Sequence, residues 1–183
     1  MKKSSILRTI LAGAVSGIAA TLVMDRFLKL SSSTQKTVEK LERASQGESL
    51  DQIEQQQANQ AAEAAQQEDS TEIVARKLAA ALGQSLPSEC KAAAGRAVHY
   101  IFGTSIGILY AASTHFAPEV ATGAGTAFGT FLFLGADGIA VPALHLAPPP
   151  TETPASSHLE HWAAHVVYGL TLELTLTLLK RLA

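Results

Sequence analysis

The chain has 183 residues, 47% hydrophobic, 16% charged and 5% aromatic, with one cysteine and a formal net charge of −2. That length suits one domain, and the lone Cys90 excludes an internal disulfide framework or a zinc site built from several thiolates. A slight negative balance gives no electrostatic footing for nucleic acid, which needs clustered Lys and Arg. The charge is also segregated, since ten of the sixteen acids lie between residues 39 and 89. This pattern reads as a membrane protein with one wet insertion.

A hydrocarbon core about 30 Å thick is crossed by roughly 20 apolar residues at 1.5 Å per helical residue. The first such run covers residues 8–30, where Gly13, Gly17, Thr21 and Asp25 fall on one slowly drifting helical face. Lys2, Lys3 and Arg8 ahead of it resemble the start of a signal peptide. The run is long for that role, however, and passes Met24 without a small-x-small cleavage site, so a retained span is expected.

Residues 31–95 are of another kind, rich in Gln, Ala, Glu and Ser and poor in bulky side chains. Such a stretch cannot bury enough apolar surface to fold alone, although its composition favours helix. Asp69 followed by Glu72 has the form of a capping pair, and Ile73, Val74, Leu78, Ala81 and Leu82 form an apolar stripe that ends at Gly83. The spacing predicts an amphipathic helix near 70–83, lying either on the membrane surface or on its own protein.

Three further spans follow at about 96–116, 120–142 and 161–179, the last two separated by the stiff run Ala147-Pro148-Pro149-Pro150. Ser156 or Ser157 is placed to cap the last helix, with His158 in the loop before it. The expected fold is an all-α membrane protein: a bundle of four transmembrane helices with a polar, partly helical insertion between helices 1 and 2. Residues 1–30 form the first helix, 31–95 the insertion and 96–183 a three-helix region. Helices in lipid associate through small residues, and the pairs Gly13/Gly17, Gly103/Gly107 and Gly125/Gly129 supply that spacing, either within the chain or toward a second copy.

Ionisable groups at membrane depth are costly and mark buried polar sites or water paths. Here they are Asp25, His99, Asp137, His161, His165 and Glu173, with Tyr168 beside the stripe of the last helix. Three readings of this polar seam stand side by side. One is a network of satisfied hydrogen bonds and ion pairs, such as His165 with Asp137 or Glu173 with a basic side chain. Another is proton handling by a His/Asp/Glu chain. The last is a transition-metal or haem site using His161 and His165, with His158 three residues before them or His99 across the bundle. There is no nucleophile elbow, no phosphate loop and no dinucleotide fingerprint, so no enzyme class is indicated and no cofactor is required. The expected partners are the lipid bilayer and, through the insertion or the glycine faces, another copy or a membrane complex in which this chain is an accessory subunit.

The C-terminal half resembles the YagU-like family of bacterial inner-membrane proteins, whose biochemical function is unknown. The resemblance rests on Ala136-Asp137-Gly138-Ile139-Ala140-Val141-Pro142, on Leu146-Ala147-Pro148-Pro149, and on the run from His165 through Tyr168 and Gly169 to Glu173. It covers about residues 95–183 and, loosely, 8–28. It implies a multi-pass inner-membrane protein with an association with acid tolerance, and Asp137, His165 and Glu173 fall on the family's polar positions.

Overall fold

Backbone polar groups in hydrocarbon must be satisfied within their own segment, and this chain meets that demand with helices throughout. A computed structural model describes residues 3–147 and 149–182; Lys2, Pro148 and the side chain of Lys3 lie outside the described residues. The elements run α1 (Lys3–Ser45), α2 (Leu50–Gln66), α3 (Ser70–Ala81), α4 (Lys91–Phe116), α5 (Thr126–Gly135), a π-helical turn (Ala136–Ala140), α6 (Val141–Ala143) and α7 (Ala155–Leu182). No strand occurs among the described residues.

Three of these helical stretches are long and apolar enough to cross a membrane: Ile6–Ser45, Thr126–Ala143 and Ala155–Leu182. The fourth expected span, α4, has the length but is diluted by Lys91, Arg96, His99, His115 and several hydroxyl residues. It packs antiparallel to α1 along a ladder of small residues. A Cβ built on Gly13 would lie 2.7 Å from the Ile108 Cα and 2.8 Å from the Gly107 carbonyl oxygen, and one on Gly17 would lie 2.6 Å from the Gly103 oxygen. α5 and α7 meet in the same way, with Gly125 and Gly129 against Gly169 and the His165 backbone. Gly169 thus serves as a packing residue, although its spacing also fits the polar stripe of α7. The core where the helices converge contains Ala20, Met24, Tyr110, Tyr168, Leu172 and Leu176. Leu11, Leu22, Ile101, Leu109, Phe131, Leu174 and Leu178 project outward, an apolar exterior suited to lipid.

Two boundaries differ from expectation. α1 continues past residue 30 to Ser45, because residues 18–46 contain neither Gly nor Pro and the change from apolar to polar side chains leaves the backbone ladder intact. It stops at Gly47, whose φ is +90°. The third span begins at Thr126 instead of near residue 120, because Gly123, Ala124 and Gly125 all take left-handed backbone conformations that no helix can include. Gly125 therefore precedes α5, and Gly123 lies in the loop. α7 starts at Ala155 directly after Pro154, so Ser156, Ser157 and His158 lie within the helix; Ser157 and His158 donate their backbone N–H groups to the Pro154 carbonyl.

The 31–90 segment is more ordered than its composition implies. α2 folds back on the end of α1, where Lys40 pairs with Glu54, Arg43 pairs with Glu48 and contacts Gln56, and Gln57 donates to the Lys36 carbonyl at 3.0 Å. Ile53 is its one fully buried side chain. α3 is capped by Asp69, whose Oδ1 accepts from the Glu72 N–H at 2.8 Å, and Gly83 beyond it has φ +72°. α3 docks on α4 at Gly95, where a Cβ would meet Glu72 Cγ at 2.7 Å. Glu68 ties the two together by accepting from Lys91 at 2.6 Å and Arg76 at 2.9 Å.

Candidate functional site

The first face of α1 meets α4 residue for residue: Gly13 and Gly17 lie on Gly107 and Gly103, Thr21 on Gly103, and Asp25 on His99. Past the last glycine the helices have room for larger groups, and Asp25 Oδ1 lies 3.1 Å from His99 Nε2. On the other side of the bundle, the π-helical turn carries Asp137 toward α7. Asp137 Oδ2 is 3.2 Å from His161 Nδ1, and its Oδ1 is 3.9 Å from His165 Nε2. His165 is buried and directs Nδ1 to the His161 carbonyl at 2.8 Å, so that nitrogen carries a proton and donates it. Nε2 of the same ring can then donate toward Asp137 only when the ring is an imidazolium. His161 keeps 57% of its side chain exposed and stands at the opening of this space.

Both acid–imidazole pairs line a cavity of about 660 Å³. Its walls are Met24 and Leu28 of α1, Phe102 and Ile106 of α4, Leu132 of α5 and Val141 of α6; the start of α3 lies over it. Tyr168 lies at its inner end, buried, and donates to the Gly103 carbonyl at 2.6 Å. Lys77 of α3 donates to the Leu144 carbonyl at 3.1 Å, joining α3 to the end of α6.

Glu173 is not part of this cavity. It lies beyond Tyr168, where its Oε2 accepts from the Tyr110 hydroxyl at 2.8 Å and its Oε1 from Thr177 at 2.7 Å. The ionisable residues expected at membrane depth therefore fall into three groups: Asp25 with His99, Asp137 with His161 and His165, and Glu173 with Tyr110. Glu173 is satisfied by hydroxyls and not by a basic side chain. Tyr110, fully buried with its ring centroid 4.7 Å from that of Phe128 and the planes tilted by 60°, is not singled out by the sequence pattern. Its place seven residues after Gly103, on the face that meets the bundle centre, is the signal that marks it. Among the described residues no group of three or more His, Cys, Asp or Glu side chains is arranged to hold a metal ion.

Outside the bundle the electrostatics are simpler. Lys91, and then Arg76, hold the Glu68 carboxyl below its ordinary range, and Arg43 and Lys40 do the same for Glu48 and Glu54.

Residues 86–174 match the family described as "Protein of unknown function (DUF1440)". The matched stretch holds α4, α5, the π-helical turn and most of α7, and with them every member of the three groups except Asp25. No curated protein and no solved structure matches the chain.

Proposed function

We propose that this is a non-enzymatic, multi-pass protein of the bacterial inner membrane, with α4 as its fourth span, that takes up and releases protons through the cavity beneath α3. The observation that carries this reading is that two separate carboxylate–imidazole pairs open on one cavity at the end of the bundle nearest the 31–90 segment. Free imidazole titrates near pH 6.5, so a modest change in ambient pH alters its charge. His165 supplies the coupling. With Nδ1 committed to the His161 carbonyl, a second proton is what turns Nε2 into a donor facing Asp137, and the π-helical turn carrying Asp137 is drawn toward α7 as the ring charges. The YagU-like resemblance in the same stretch adds acid tolerance as the physiological setting.

Trp162 makes the proposal measurable. It is the single tryptophan of the chain, follows His161 directly, and donates to Thr130 Oγ1 at 3.2 Å. In the reconstituted full chain its emission changes with a midpoint between about pH 5 and 8. Asp137→Asn flattens that titration, and proton uptake by dye-loaded liposomes falls with it. An Asp137→Asn protein that titrates and takes up protons like the wild type overturns the reading.

A further inference from the structure

The cavity is larger than proton exchange needs. A relay requires groups or waters at hydrogen-bonding distance, whereas about 660 Å³ with mainly apolar walls lies in the range of small-molecule sites. Its charge is also one-sided. Four carboxylates line it, Asp25 of α1, Asp69 and Glu72 at the start of α3, and Asp137 of the π-helical turn, against the guanidinium of Arg96 on α4. His99, His161 and His165 are the imidazoles. The lining thus carries a net charge of −3 with the three rings neutral and zero with all three protonated. Around it, Lys77 donates to the Leu144 carbonyl, Glu160 directly precedes His161, and Tyr100 hydrogen-bonds Asp25, which Arg26 follows in the chain.

We propose that the cavity binds a lipophilic organic cation, one positive charge spread over an apolar body, and that protons compete with it. Charge complementarity selects the sign, and the walls select the body: Met24, Leu28, Ile106 and Leu132 offer apolar surface, and Phe102 and Tyr168 add aromatic side chains, a residue type that attracts cations. A small inorganic cation is not served, because among the described residues no three ligating side chains converge. The proposal rests on the proton-handling reading of this same site and names what is exchanged for the proton.

The test is equilibrium dialysis of tetraphenylphosphonium against the full chain in lipid nanodiscs. Saturable binding of one cation per chain is expected at about pH 8, weaker by about tenfold or more at about pH 5, where imidazoles charge. The isosteric anion tetraphenylborate neither binds saturably nor competes. Asp25→Asn and Asp137→Asn each weaken the cation by about tenfold. Leu132→Trp, which fills the space without altering a charge, abolishes binding and keeps the test decisive where a carboxylate variant fails to fold. Absence of saturable binding at about pH 8, equal binding of the anion, or undiminished binding by Leu132→Trp overturns the inference. The Trp162 titration is read without any cation present, so it can succeed where this fails, and cation binding that is indifferent to pH overturns the competition.

Discussion

A Cβ on Gly107 would come within 2.6 Å of the Gly17 Cα and 2.7 Å of its nitrogen, both backbone atoms that cannot swing aside. Gly107→Val therefore forces α1 and α4 apart and costs about 1–3 kcal/mol of stability, the usual range for overpacking. Gly135 is the counterpart. It has ordinary helical angles and nothing within 4 Å of its Cβ position, so Gly135→Ala gains about 0.5–1 kcal/mol from the reduced freedom of the unfolded chain. Thermal melts of the two variants in one detergent should move in opposite directions, and a shared direction would show that the close approach at Gly107 does not hold the helices. Ser16 supplies a further contrast. It is fully buried and its Oγ has no hydrogen-bond partner among the described residues. Ser16→Ala removes that uncompensated polar group, and the same melts should show it unchanged or up to about 1 kcal/mol more stable.

At the scale of elements, α3 is held by few contacts that respond to conditions. In the docked state Lys91 and Arg76 keep the Glu68 carboxyl below the ordinary 4.5, so the released segment takes up a proton first as pH falls. The tether is complete above about pH 4.5 and is lost as pH drops through the lower, docked value. Cys90 is exposed, the chain's single thiol, and adjacent to Lys91, which makes it a natural position for a nitroxide label. The label's mobility should rise as pH falls below about 4.5, and Glu68→Gln should show the mobile spectrum throughout. A label equally immobile in Glu68→Gln removes the ion pair from the docking. The ends of α3 were legible in the sequence because Asp69, Glu72 and Gly83 act on the nearest backbone groups. The length of α1 was not legible: the solvent around the helix changes near residue 30, and side-chain composition reports solvent while backbone continuity is set by the absence of Gly and Pro. The start of α5 was misplaced for a related reason, since Gly123 and Gly125 suit a tight membrane face as well as a left-handed turn.

For the whole molecule, each helix declared its small and polar face through four-residue spacing, and periodicity carries that much information. Which faces meet is a long-range property. That Asp25 would find His99, and that Asp137 would reach His161 ahead of His165, depends on antiparallel register between elements far apart in the chain. The expected polar seam is divided by Tyr168, whose hydroxyl donates to the Gly103 carbonyl and which separates Glu173 from the cavity. The same register places both acid–imidazole pairs at one end of the bundle, which is why their titration is expected to report on one aqueous compartment. The Trp162 emission measurement addresses that compartment directly.

The unbroken 43 residues of α1 have a mechanical meaning. At 1.5 Å per residue they extend about 65 Å, and with about 30 Å in hydrocarbon, roughly half of the rod stands in water. A stiff rod pivoting where it leaves the bilayer is a lever: a tilt of about 10° moves its far tip by about 6 Å. Any rearrangement near Asp25 is thereby enlarged at the tip, where a pair of fluorophores could measure it as a distance.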